Sequence, residues 1–187
     1  MTPLLAALAA ALDSIEPLPP ERTPLGTVSV VIMRMARSYL SDGMVFCERG
    51  DDVNAHASAA YAFGWLDAGS YIGFFAGLNS EETRSFDGTI PGAQQHRLLE
   101  KAGRYERLLC EATCSLSPAP DPETPMYAAA GHLLFEGQGA LERGRRLSDE
   151  GRTAAALGWY SYGFGWLDAG VQAGLFSVVG SREIFTV

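Results

Sequence analysis

Apolar residues recur along this chain at helical spacing. Leu4, Leu5, Leu8, Leu12 and Ile15 mark a first helix over about 3–16. The run PLPPERTP at 17–24 ends it, because proline removes a backbone donor and clashes with the preceding turn. Pro24 suits the first turn of a second helix, which runs to about Arg49 with Val28, Val31, Ile32, Met35, Tyr39, Val45 and Phe46 as its apolar positions. Gly50 and Asp51 form a stop and a restart: a left-handed cap residue, then a side chain that caps new helix N–H groups. A third helix takes Asp52 to about Leu78, and no strand is expected anywhere in 24–78. Residues 80–93 are polar with Gly and Pro and read as a linker. The pattern then restarts, with helices over about 94–115, from Pro125 to about Glu150, and on to about Val179.

The restart is a copy. Residues 61–75 read YAFGWLDAGSYIGFF and residues 162–176 read YGFGWLDAGVQAGLF, with ten of fifteen positions identical at an offset of 101 and no gap. Thr23-Pro24 has its counterpart in Thr124-Pro125, and Gly50 in Gly151, at the same offset. Self-similarity at a fixed offset identifies a tandem duplication. Tight connections make neighbouring helices antiparallel. The expected fold is therefore all-α: two up-down-up three-helix bundles packed together, at 1–79 and 94–181 and joined by the linker.

The repeated helix is apolar on two sides. Tyr61, Gly64, Trp65, Ala68, Ile72 and Phe75 form one stripe, and Phe63, Leu66, Asp67, Ser70 and Phe74 form the opposite one. The second copy presents Tyr162, Gly165, Trp166, Ala169, Ala173 and Phe176 against Phe164, Leu167, Asp168, Val171 and Leu175. A helix apolar all round is buried all round. One stripe is expected to face its own unit, and the other a second unit, either the other repeat or another chain. Gly69 with Gly73, and Gly170 with Gly174, are four apart. Each interior glycine costs about 0.8–1.0 kcal/mol against alanine, so they point to tight packing or, second, to room for a ligand or partner backbone.

Asp67 and Asp168 lie within these apolar rods, where a carboxylate needs a partner. Counting through the glycine turns sets Asp67 level with Arg34 and Asp168 level with Arg107, so a structural ion pair is expected at each.

Charge and composition narrow the options. A net charge of −8 and a pI near 4.8 argue against nucleic acid and against docking on anionic lipid. Residues 61–78 and 161–179 have the length of membrane spans. An aspartate at the bilayer centre costs about 2.5–3.5 kcal/mol, which favours buried helices in a soluble protein. Cys47, Cys110 and Cys114 are an odd set without disulfide spacing, which fits a reduced, cytoplasmic protein. The N-terminus lacks the basic segment of a secretory signal. Cys110 and Cys114 share a helical face, but His56, His96 and His132 are scattered, and no metal or cofactor site is expected. Arg143, Arg145, Arg146 and Arg152 read first as a solvated face and second as an anion contact.

The stretch SYLSDGMVFCERGDDVNAHASAAYAFGWLDAG at 38–69 resembles the archaeal family called domain of unknown function 357: an alanine-rich helix, a Gly-Asp turn, and a helix ending in Tyr-Ala-x-Gly-x-Leu-Asp-Ala. Residues 139–170 follow the pattern more loosely, with Arg143 in the place of Asp42. The resemblance implies a three-helix bundle and an archaeal source, and carries no established activity.

Two functions fit these features. The first is a non-catalytic helical interaction or scaffold module that binds a protein partner or self-associates. The second is a small-molecule-binding bundle with a pocket near Tyr61, Trp65 and Asp67 and near Tyr162, Trp166 and Asp168. A cavity of about 300 Å³ or more touching both aspartates would favour the ligand. An enzyme has only those carboxylates in its favour.

Overall fold

The computed structural model describes residues 1–78 and 84–186. Residues 79–83, which include the end of the expected first repeat and the start of the linker, lie outside the described residues, as does Val187. The first unit consists of α1 (Pro3–Ser14), α2 (Pro24–Glu48) and α3 (Asp52–Ile72). The second consists of α4 (Gln95–Cys114), α5 (Pro125–Asp149) and α6 (Thr153–Gln172). The protein is thus a tandem duplication of a three-helix unit.

The caps follow from the local sequence. Thr23 and Thr124 each precede a proline in the first helical turn, and their hydroxyls accept from the Gly26 and Tyr127 amides at 3.0 and 3.3 Å. Gly50 and Gly151 take φ of 69° and 75°, and the next amides, Asp51 and Arg152, each donate to a carbonyl five residues back at 2.8 Å. That bond closes α2 and α5 and starts the return helix.

The third helices are shorter than expected. They end at Ile72 and Gln172 rather than near 78 and 179. Gly73 and Gly174 follow with φ of 90° and 73°, a left-handed conformation open to glycine and unfavourable for other residues. The chain then leaves each helix as a short strand. β1 (Glu16–Pro17) pairs antiparallel with β2 (Phe75–Ala76), and β3 (Leu116–Pro118) with β4 (Phe176–Val178). These ribbons, one of them inside the span where no strand was expected, tie the exit of the first helix to the exit of the third. Segments of two or three residues are too short to show a periodicity.

The core lies where α3 and α6 meet, and these two pack on each other more extensively than any other pair of helices. Phe63, Phe74, Phe164 and Leu175 are between 1% and 8% exposed. Both apolar stripes of each rod are therefore buried, and the contact with the other repeat runs through the stripe that carries Gly64 and Gly165. The closest approach is at Gly64 and Gly165. A Cβ on Gly64 would lie 2.9 Å from the Gly165 Cα, and a Cβ on Gly165 would lie 3.0 Å from the Gly64 Cα. This reciprocity is the mark of a two-fold interface, here built within one chain. The sequence pointed instead to Gly69, Gly73, Gly170 and Gly174. Gly73 and Gly174 terminate helices, and Gly69 and Gly170 make room for the rings of Phe75 and Phe176.

The two halves differ at one edge. α4 extends further than α1 at its start, and those extra turns cover the start of α3, with Arg97 bonded to Asp51 at 2.7 Å and Lys101 bonded to Asn54. The described part of the linker packs inward as well. Phe86 is 1% exposed and sits against Trp159 and Tyr162.

Candidate functional site

Gly64 lies midway between Tyr61 and Asp67, and Gly165 midway between Tyr162 and Asp168. With the rods crossing antiparallel at these glycines, each tyrosine meets the aspartate of the other copy. The Tyr162 hydroxyl donates to Asp67 Oδ2 at 2.9 Å, and the Tyr61 hydroxyl donates to Asp168 Oδ2.

Each aspartate also receives a segment that returns after its own helix. Arg84, 17 residues beyond Asp67, donates Nε and Nη2 to its two carboxylate oxygens at 2.8 and 2.7 Å. Thr186, 18 residues beyond Asp168, donates its hydroxyl to Oδ2 at 2.9 Å and its amide to Oδ1 at 3.2 Å. The expected pairs with Arg34 and Arg107 are corrected by these contacts: both arginines are exposed on outer faces. The helical count looked for partners within one hairpin, whereas the partners come from the crossing helix and from the returning chain.

The two ends have diverged. Asp168 is fully buried. The C-terminal segment reaches it through Thr186, with Phe185 beside the Phe164 ring at 6.1 Å, and the Tyr39 ring packs edge-on against Tyr61 at 4.4 Å. Burial raises the Asp168 carboxyl to about 6, outweighing the bonds from Tyr61 and Thr186 that favour the charged form. Burial, followed by the Asp168 charge, pushes the Tyr61 phenol well above its ordinary value, so it stays a proton donor. A cavity of about 340 Å³ remains at this end, lined by Tyr39, Tyr61, Lys101, Tyr105 and Thr186 among others. Burial lowers the Lys101 ammonium to about 8.

At the Asp67 end the position equivalent to Tyr39 is Ala140, and that of Ser38 is Gly139. A groove of about 720 Å³ opens there. Gly139 and Ala140 form its floor on α5, and Tyr71, Trp159, Tyr162 and Trp166 line its sides, with Asp67 and Arg84 also on its lining. His132 and Glu136 stand toward one end of the α5 face and Arg143 toward the other. The Tyr71 and His132 rings stack at 3.9 Å and 21°, which joins the two repeats across the groove. The Arg143 guanidinium lies 4.3 Å over the Trp159 ring, and that of Arg84 lies 4.2 Å over Phe63. Burial and then the Asp67 charge raise the Tyr162 phenol well above its ordinary value.

Of the sequence candidates, Asp67, Tyr162 and Trp166 line the groove, Tyr61 lines the smaller cavity, and Trp65 and Asp168 are sealed in the core. Neither of these two spaces is lined by both aspartates. Sequence reasoning missed Arg84, Tyr71, His132 and Trp159 as groove residues. The available signal lay in the departures between copies: Tyr39 against Ala140, Ser58 against Trp159, and Asp42 against Arg143. Among the described residues, no helix is long and apolar enough to cross a membrane, and no group of three His, Cys, Asp or Glu side chains is placed to hold a metal.

The chain belongs to the family described as protein of unknown function (DUF357), whose model matches residues 5–75 and again residues 104–176. Each match falls on one helical unit, the second beginning within α4. Neither a curated protein nor a solved structure matches the chain.

Proposed function

We propose that this two-copy DUF357 protein is a non-catalytic binding protein whose groove at Asp67 holds a small molecule. The observation that carries this reading is the divergence of two ends that the duplication made equivalent. At the Asp168 end Tyr39 and the C-terminal segment leave a cavity of about 340 Å³, while small residues at 139 and 140 leave about 720 Å³ at the Asp67 end. A volume of about 720 Å³ with aromatic sides and a few polar groups is typical of ligand sites. Asp67 is neutralised by a forked arginine and a phenol, which suits a structural carboxylate better than a general base.

A scaffold that captures a protein partner or self-associates takes second place. Its main support was the doubly apolar rod, and both faces of that rod are used inside the chain. The three unpaired cysteines support a reducing, cytoplasmic setting, and the family resemblance supports an archaeal source.

The test is a groove-filling substitution that spares the fold. A Cβ on Gly139 meets nothing within 4 Å, so Gly139→Leu fits the helix and projects into the groove. Ligand-observed NMR against a library of small aromatic and aliphatic fragments should give a set of binders to the parent protein. Those binders should be lost in Gly139→Leu, while its melting temperature is unchanged or higher. Binders that ignore the substitution, or a library that yields none, would reject the groove.

A further inference from the structure

Resting on the groove reading above, we infer that its ligand is a planar aromatic ring carrying an anionic group, with the ring between the aromatic sides and the anion at Arg143. The floor is flat because residues 139 and 140 are Gly and Ala, and Trp159, Tyr162 and Trp166 stand around it. Aromatic faces recognise aromatic rings by offset or edge contacts.

The charges in the lining separate into engaged and unengaged groups. Asp67 and Arg84 cancel each other in a two-point fork. Glu136 stands 3.6 Å from His132. Arg143 forms no ion pair among the described residues, and its recorded contact is the face of Trp159. Of the same cluster, Arg145 bonds to Glu106 at 2.8 Å and Arg152 to Asp87 at 2.5 Å, and Arg146 does not line the groove. A guanidinium resting on an indole keeps its N–H fork for a carboxylate or phosphate. Asp67 offers a cationic ligand no free charge, because Arg84 neutralises it, and Glu136, whose neighbour His132 is charged only when protonated, stands toward the other end of the α5 face from Arg143. The position equivalent to Arg143 in the first copy is Asp42, so the positive charge is specific to the copy that bears the groove.

The probes are naphthylacetate, naphthyl phosphate and, as a neutral counterpart of the same ring, naphthyl ethanol, titrated by calorimetry. The two anions should bind about tenfold or more tighter than the alcohol, since hydrogen bonds to a charged group are stronger than those to a neutral hydroxyl. Arg143→Gln should remove that preference and leave the alcohol unchanged. Arg143→Lys should restore part of it, and Gly139→Leu should abolish all binding. Arg143 is exposed, so neither change at that position threatens the fold. The better of the two anions identifies a carboxylate or a phosphate head. Equal binding of alcohol and anions, lost in Gly139→Leu, would overturn the anionic class while the groove reading stands. Binding that survives Gly139→Leu, or no binding by any probe, would overturn both.

Discussion

Asp168→Asn removes a buried charge while keeping the shape and most of the hydrogen bonds of the side chain. In the parent protein the folded carboxyl titrates at about 6 against an ordinary 3.8. The difference is about two units, and at about 1.36 kcal/mol per unit it amounts to roughly 3 kcal/mol. The sign follows from proton binding. Between pH 3.8 and about 6 the folded chain holds a proton that the unfolded chain has lost, so stability falls as pH rises through that window. Below 3.8 both states are protonated and the penalty is absent, and above about 6 it is fully present. Asparagine does not titrate. With its carbonyl in the place of Oδ1 it accepts from the Thr186 amide, and its amide in the place of Oδ2 donates to the Thr186 and Tyr61 hydroxyls. Urea unfolding of parent and variant across this range, compared at each pH, cancels the carboxylates they share. Asp168→Asn should gain on the parent by about 3 kcal/mol between about pH 4 and about pH 7.5, with the urea dependence unchanged. A difference that stays constant with pH, or that moves toward the parent as pH rises, would refute the buried, penalised carboxylate.

Arg84→Met should cost about 2–4 kcal/mol, because it leaves Asp67 short of its counter-charge in a mostly buried position; Asp67→Asn in the same chain should recover most of the loss, read as a coupling energy in a double-mutant cycle. Gly64→Ala should cost about 3 kcal/mol or more, since the added carbon meets backbone of α6, whereas Gly131→Ala on the open face of α5 should gain about 0.5–1 kcal/mol; similar values from chemical denaturation would contradict the crossing geometry. Tyr61→Phe takes a donor from Asp168 and should destabilise by about 1–3 kcal/mol, with a greater loss above pH 6 than below it, where the carboxyl is already protonated.

The parts of the fold legible in the sequence are those set by near neighbours. Thr23-Pro24 and Thr124-Pro125 start helices because a hydroxyl accepts an amide three residues on, and Gly50 and Gly151 end them through their own φ. The family was legible for the same reason, since the turn and the Gly-x-Leu-Asp-Ala helix stand together in the chain. Spacing misled at Gly73 and Gly174. Four residues after another glycine they resemble a packing stripe, but their φ makes them terminators, and φ cannot be read from spacing. The aspartate partners were hidden because Tyr61 reaches Asp168 across 107 positions, and the register that joins them is set by a glycine crossing between copies. Arg84 was hidden because it arrives on a returning segment with no periodic pattern.

Joining both units in one chain has a physical consequence that separate copies lack. In a dimer of identical subunits each substitution appears at both ends of the crossing, so an end that opens a groove must open two. Within one chain the ends vary independently. Here one end combines Tyr39, Tyr61 and Thr186 around a carboxylate that the surroundings hold near 6, and the other combines Ala140, Trp159 and Arg143 around an aspartate already matched by Arg84. The two sets are not interchangeable. A tyrosine at 140 would occupy the groove, and an alanine at 39 would strip the ring that covers Tyr61. The Asp168 end bears a desolvation penalty on its carboxylate, and the more open end carries the aromatic faces and the Arg143 guanidinium, which has no ion pair among the described residues. That division of labour favours a recognition site at Asp67 over any role for the two aspartates as a catalytic pair.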